Sequence, residues 1–263
     1  MERAILARPL WRDPVQGAAP LPQDPRIISA PLQVLALLSP DSAVLESHLR
    51  APNPWLVLTS PASVVAFGAL AKRLNIDLSQ HALRYAAVGN GTRDQLLRSL
   101  AHVPQAEVVV SAETEKSDAH STLAALDRVA AQQGWSWAEQ QFLVIEGADN
   151  RPTLREGLKA RGAQAGSYPI YERINVDWPE PLWQQLAQAK PGEIGIVITS
   201  TTVIARVLEL IRARGLDPLQ FSWCTQHLAI ATQLVHAGLG PIHRVRLDAQ
   251  HITDDLFIYG NHW

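Results

Sequence analysis

Two stretches far apart in this 263-residue chain repeat one pattern in one order, and that repetition limits the possible folds more than any other feature. Trp55-Leu56-Val57-Leu58 is a short apolar run that ends in Thr59-Ser60-Pro61 and leads into a helical segment with Val64, Phe67, Ala71 and Leu74 on one face. Gly195-Ile196-Val197-Ile198 ends in Thr199-Ser200-Thr201-Thr202 and leads into a segment with Ile204, Val207, Leu208 and Ile211 on one face, stopped by Gly215. Each is followed by a second such unit. Tyr85–Val88 precedes Gly89-Asn90-Gly91-Thr92 and a helix over 93–100; Phe221–Cys224 precedes Thr225-Gln226-His227 and a helix over 228–237. Two matches in the same order indicate a duplicated α/β module.

The segments around these modules fit the same alternation. Ala4–Ala7 reads as a first strand, and residues 9–28, rich in Pro, Asp, Gln and Gly, as a long loop. Extended structure resumes over Pro31–Leu38, a short helix follows over Ser42–Leu49, and Val108–Val110 and 117–132 add a strand and a helix. Phe142–Ile145 is a buried strand. After it Gly147 bends the chain, Asp149 or Asn150 can cap a helix with Pro152 at its first position, Leu154 and Leu158 share a face, and Gly162 stops the helix. Tyr168–Ile174 is extended again, with Pro169 suited to an edge or a crossing and Tyr171 and Arg173 near a junction. Strands alternating with helices throughout predict an α/β protein of two similar lobes, each a parallel sheet flanked by helices, joined by a two-strand connector with a cleft between. Lobe one takes residues 1–33 and 175–263, and lobe two residues 34–174.

Composition removes whole classes of function. Hydrophobic residues make up 47% and charged residues 18%, as in an ordinary globular protein. The net charge of −2 gives no global attraction to nucleic acid or an anionic membrane, so any anion site must be local. The single cysteine, Cys224, forms no internal disulfide and fits a reducing compartment. No signal-peptide pattern opens the chain and no apolar run reaches a membrane span; the expectation is a cytoplasmic protein.

In open parallel sheets, ligands collect beyond the carboxyl ends of the strands. Those ends carry Thr59-Ser60, Gly89-Asn90-Gly91-Thr92, Gly147–Arg151, Thr199-Ser200-Thr201-Thr202 and Thr225-Gln226-His227. Hydroxyls and free N–H groups at helix starts suit a ligand with several carboxylates or phosphates, although each Ser or Thr is also an ordinary helix cap. Gly89-Asn90-Gly91-Thr92 lacks the third Gly of a dinucleotide fingerprint and the Lys of a P-loop. Cys224 and His227 have no second pair with which to hold zinc, and no nucleophile elbow or paired carboxylates stand out. The residues alone leave open an enzyme, an inactive or regulatory relative, or a two-lobed small-ligand binding protein.

WLVLTSPASV, YAAVGNGT, KSDAHSTL, the Gly147–Arg151 turn with its helix and RGA, SYPIYER and GIVITS together resemble the uroporphyrinogen-III synthase family, in that family's order and over nearly the whole chain. The resemblance implies a monomeric, cofactor-free and metal-free enzyme of tetrapyrrole (heme) biosynthesis that closes the linear tetrapyrrole hydroxymethylbilane to uroporphyrinogen III, inverting ring D through a spiro intermediate. Nucleic acid and membrane are not among its expected partners. It makes Tyr171 of PIYER the candidate catalytic residue, assisting departure of the hydroxyl. It gives substrate-binding roles to Ser60, Ser200, Thr92 and Arg151, beside Thr59, Gly89 and Thr199 of the same turns. The turn also carries Glu146 and Asp149, two carboxylates set beside an acidic guest.

Overall fold

The computed structural model describes residues 1–12, 23–99, 108–111, 118–248 and 251–259. In chain order its strands and helices are β1 (Arg3–Leu6), β2 (Leu10–Trp11), β3 (Ile27–Ser29), β4 (Gln33–Leu37), α1 (Ser42–Leu49), β5 (Pro54–Leu58), α2 (Pro61–Arg73), β6 (Arg84–Ala87), α3 (Asn90–Ser99), β7 (Val108–Val110), α4 (Ala119–Gln133), β8 (Gln141–Gly147) and α5 (Thr153–Ala160). They continue with β9 (Gln164–Asn175), α6 (Glu180–Gln188), β10 (Ile194–Val197), α7 (Ile204–Ala213), β11 (Ser222–Thr225), α8 (Leu228–His236), β12 (Ile242–Arg244) and a short final helix, α9 (Ile252–Asp254), which runs on through a wider turn to residue 259. Among the described residues no helix is long and apolar enough to cross a membrane.

The described chain divides into two compact units. One takes residues 1–12, 23–35 and 174 onward, and the other residues 36–173, so the chain passes between them within β4 and within β9. The first unit has a sheet in the order β12-β11-β10-β1-β3; the other sheet runs β2-β4-β9-β8-β5-β6-β7. The strand pairs in both sheets are parallel (for example Ile5 beside Ile196, and Val57 beside Val144 and Ala86), except that β4 and β9 run antiparallel, the Leu38 N–H bonding to the Ile170 carbonyl and the Val176 N–H to the Leu32 carbonyl. The duplication is visible in the strand order. β7-β6-β5-β8-β9 and β12-β11-β10-β1-β3 have the same layout, with β1 and β3, which come first in the chain, standing where β8 and β9 stand in the other sheet. Thr59-Ser60 and Thr199-Ser200 therefore leave equivalent central strands, β5 and β10.

Each sheet buries both faces, which explains strands such as β5, β6 and β10 that are apolar at nearly every position instead of alternating. In the second unit Trp55, Val57, Phe142 and Val144 face Leu123 and Leu126 of α4 and Leu154 and Leu158 of α5. In the first, Ile5, Ile196, Ile198 and Trp223 face Val207 and Ile211 of α7 and Ile230 and Leu234 of α8. Its other face, Ala4, Leu6, Val197 and Cys224, is covered by Ile252 and Leu256. The local signals behave as their chemistry requires. Ser60 caps α2 with Pro61 as first helical residue, and Gly162 after α5 and Gly215 after α7 adopt φ of +92° and +71°.

Several expectations are corrected. The segment 9–28 contains β2 and the start of β3, and its residues 13–22 lie outside the described residues, as do Leu100 and Ser117, the expected end and start of two helices. Pro169 is not at an edge: β9 lies between β4 and β8. The Ile170 carbonyl accepts from Leu38 and the Tyr171 carbonyl from Ala148, so Pro169, one step from Ile170 and two from Tyr171, faces β8. There the β8–β9 register slips between Glu146 and Gly147, and the missing N–H falls at the irregularity. Helix α3 begins at Asn90, so Gly91 and Thr92 are helical rather than loop residues. Helix α5 begins at Thr153 with no side-chain cap, because Asp149 and Asn150 bond elsewhere.

Candidate active site

The carboxyl ends of β5, β8 and β9 converge within the second unit, and the sequence of each end determines what it brings. β5 delivers Thr59 and Ser60. Ser60 is a helix cap: its Oγ accepts from the Ser63 N–H at 3.1 Å, and Ser63 Oγ donates to the Ser60 carbonyl at 2.7 Å. The cap holds the Ser60 hydroxyl in one place, where it lies 3.2 Å from the Tyr171 hydroxyl. Thr59 Oγ1 donates to the Ile145 carbonyl at 3.2 Å and accepts from Asn150 Nδ2 at 3.1 Å, joining the end of β5 to the turn after β8.

β9 delivers Tyr171 and Arg173, two apart and thus on one face. Tyr171 has 0% exposure. Arg173 Nη2 donates to its hydroxyl at 2.9 Å, the guanidinium carbon stands 5.2 Å from its ring centre, and Nη1 is ion-paired with Asp149. Burial raises the Tyr171 pKa above its ordinary value. The Arg173 cation and the Ser60 hydrogen bond work against that rise, and the Asp149 and Glu146 charges add to it. β8 contributes space. An added Cβ at Gly147 would lie 3.0 Å from Tyr171 Cζ and 3.1 Å from both Arg173 Nη1 and Asp149 Oδ1, so the absent side chain leaves room for the cluster.

Both carboxylates of this turn have partners. Asp149 is taken by Arg173, and Glu146, 6% exposed, accepts from Ser167 Oγ at 2.5 Å. Arg151 is exposed, and among the described residues its side chain has no partner, so its charge is available to an anion. Gly89 turns at φ +79° after β6. Thr92, 2% exposed, donates its hydroxyl to the Val88 carbonyl at 2.8 Å, and so ties the first turn of α3 to the end of β6.

The first unit presents its own turn. After β10, Thr199 and Ser200 are half-buried, and Ser200 Oγ is 2.8 Å from Thr202 Oγ1. Thr202 donates to Gln33 Oε1 at 3.2 Å, and Gln33 Nε2 donates to Asn175 Oδ1 at 3.2 Å, so the turn is linked to the two strands in which the chain changes units. The turn after β11 satisfies itself: Thr225 Oγ1 accepts from the His227 N–H at 3.2 Å, and Gln226 Oε1 from the Leu247 N–H at 3.3 Å. Cys224 is fully buried, and burial pushes its thiol up to about 12. Among the described residues no group of three or more His, Cys, Asp or Glu could hold a metal ion.

The structure therefore brings together Tyr171, Ser60 and Thr59, leaves Arg151 exposed and without a partner among the described residues, turns Thr92 inward, and places Thr199 and Ser200 in the other unit. Asn150 entered the sequence reading only as a possible helix cap, Asp149 as a cap or as a carboxylate beside an acidic guest, and Arg173 only as a base near a junction. The (i, i+2) spacing of Tyr171 and Arg173 on a strand was the signal that could have joined them.

Comparison with solved structures places this architecture among known ones. A uroporphyrinogen-III synthetase from Helicobacter pylori superposes with a TM-score of 0.51 at 12% identity, covering 92% of each chain. A mutant uroporphyrinogen III synthase from Thermus thermophilus superposes with a TM-score of 0.50 at 15% identity, covering 82% of each. At such identities the likeness concerns the fold. No curated protein sequence matches significantly. The sequence model of the uroporphyrinogen-III synthase HemD family matches residues 35–244, most of the chain and all of the cluster around Tyr171, and the chain belongs to that family.

Proposed function

We propose that the protein is a uroporphyrinogen-III synthase, acting as a cytoplasmic monomer that closes hydroxymethylbilane to uroporphyrinogen III. Family membership supports the reaction, and the hydroxyl and guanidinium cluster at Tyr171 is the observation that carries the assignment of roles. The chemistry asks little of the protein. Water leaves the hydroxymethyl carbon to give an electron-poor azafulvene, the substituted carbon of ring D attacks it, and the spiro intermediate fragments and recloses with ring D turned. The pyrroles supply the electrons. The protein folds the chain, holds the terminal rings in contact, and provides one weak acid for the departing hydroxyl.

Tyr171 is that acid. A phenol held neutral by burial retains its proton at physiological pH, and the Arg173 cation lowers the cost of giving it up. Acetate and propionate arms are held by Arg151 and by N–H and hydroxyl donors of the turns at Thr59-Ser60 and Gly89, where helix starts favour anions, and the Thr199-Ser200 turn of the other unit offers binding donors of the same kind. Thr92 contributes by fixing the Gly89 turn through Val88. Incubation of the purified protein with freshly made hydroxymethylbilane tests the reading. The expected product is uroporphyrinogen III, formed faster than background. Isomer I alone, with ring D unturned and at the uncatalysed rate, overturns it.

A further inference from the structure

Tyr171 is fully buried, so a proton leaving it for a substrate needs a carrier. Three groups in a row supply one: Arg173 Nη2 lies 2.9 Å from Tyr171 Oη, and Tyr171 Oη 3.2 Å from Ser60 Oγ. The row has a direction. Arg173 has no lone pair and must donate to Tyr171, and the Ser63 amide must donate to Ser60. Each hydroxyl oxygen thus already receives one fixed hydrogen, and of the two hydroxyl hydrogens one bridges Tyr171 and Ser60. Ser60 is the half-exposed member of the pair, so the row opens to a ligand at its hydroxyl.

We propose that Ser60 is the group that touches the leaving oxygen, passing on the proton of Tyr171, and that Arg173, clamped by Asp149, is the positioning residue that holds the tyrosine in line. The proposal rests on the reading of Tyr171 as the acid. As the C–O bond of the hydroxymethyl group breaks under the push of the pyrrole electrons, Ser60 gives its hydrogen to the departing oxygen and takes that of Tyr171. Water leaves, and the phenolate remains beside the Arg173 cation. When the macrocycle recloses, the proton shed by the ring D carbon returns by the same path, so nothing is oxidised or reduced. Among the described residues the charged groups that act on the phenol include Arg173 on β9, Glu146 on β8 and Asp149 in the turn after it. Of these, Arg173 alone favours the phenolate.

The test compares kcat, KM and pH dependence for variants of the full chain acting on hydroxymethylbilane. Ser60→Asn keeps a helix cap but cannot pass a proton, and Ser60→Thr keeps the hydroxyl. Expected are a fall in kcat of at least about tenfold for S60N with little change in KM, recovery to within about threefold in S60T, and a Y171F/S60N double variant no slower than Y171F, since both act on one proton. Arg173→Gln should lower kcat and move the alkaline limb of the pH profile to higher pH, because the phenol loses the cation that held its pKa down; Arg173→Lys should restore part of both. Additive losses in the double variant, or S60N with wild-type kcat while Y171F is impaired, overturn the relay and leave Tyr171 as the acid. Wild-type kcat in Y171F overturns the reading of Tyr171 itself. An unmoved pH profile in R173Q overturns the role of Arg173.

Discussion

Replacing Gly147 with alanine is the sharpest single perturbation of the cluster, because it adds one methyl group where three functional side chains converge. The new Cβ would stand 3.0 Å from Tyr171 Cζ and 3.1 Å from Arg173 Nη1 and Asp149 Oδ1. Heavy atoms in contact prefer about 3.5–4.0 Å, so each neighbour must retreat by about half an ångström. Asp149 and Arg173 are the ends of flexible side chains and can move. Tyr171 is walled in on all sides, and its ring can yield only by shifting its packing. A shift of that size takes the 3.2 Å contact with Ser60 past the reach of a hydrogen bond. Overpacking of this kind costs about 1–3 kcal/mol, offset by about 0.4–1 kcal/mol from the reduced freedom of the unfolded chain. The backbone at Gly147 is not in the left-handed region, and no strain term adds to this. We expect net destabilisation of about 1–2 kcal/mol, read as a midpoint lower by a few degrees, with kcat for bilane cyclisation down about tenfold and KM little changed. Thermal unfolding by circular dichroism and isomer analysis of the product measure both. An unchanged midpoint together with wild-type kcat would refute the geometry from which the argument starts.

The same substitution at Gly91 should have the opposite sign. Nothing lies within 4 Å of its added Cβ and the residue is the second of α3, so Gly91→Ala should stabilise by about 0.5–1 kcal/mol in chemical denaturation. Cys224, buried and with its thiol pushed up to about 12, should react with a disulfide reagent at mildly alkaline pH only at the rate at which its surroundings open; prompt labelling of the native protein would contradict its placement. Asp255 is 3% exposed and accepts from the Arg246 backbone N–H, Nε and Nη2 at 2.8, 2.9 and 2.7 Å, and the hydrogen bonds to the Arg246 side chain are the main reason its pKa lies below the usual carboxylate value. Its contribution to stability is in place above the unfolded pKa of about 3.9 and is lost as pH falls through the lower folded value, so Asp255→Asn should flatten the acid side of the stability profile.

What the sequence disclosed and what it withheld follow from the range of the interactions. Apolar runs such as Trp55–Leu58 and Phe142–Ile145, and stops such as Gly162 and Gly215, act within a few residues, and their readings held. Ser60 was legible both as a cap and as a strand-end hydroxyl, since Pro61 marks the helix start. The edge reading of Pro169 failed, although β9 does carry the chain between the units, because the rule against proline in a central strand presumes a regular ladder, and the register slip at Glu146–Gly147 arises only where β8 meets β9, a pairing invisible to local pattern. Glu146 and Asp149 looked hostile to an acidic substrate because their partners, Ser167 and Arg173, lie 21 and 24 residues downstream. Thr92 was given a substrate-binding role, and its bond to the Val88 carbonyl was not legible because nothing local announces that α3 begins at Asn90.

The substitution of β1 and β3 for the places that β8 and β9 hold in the other sheet bears on how the chain is made. Arg3 and Ile5 must wait for Ile194 and Ile196 before their sheet can close, while residues 36–173 form a continuous stretch able to fold as it leaves the ribosome. β1 is thus made long before β10, the strand it pairs with. Bringing those strands together across so long an intervening stretch is entropically modest but slow, and it leaves β1 unpaired with β10 until β10 has been made.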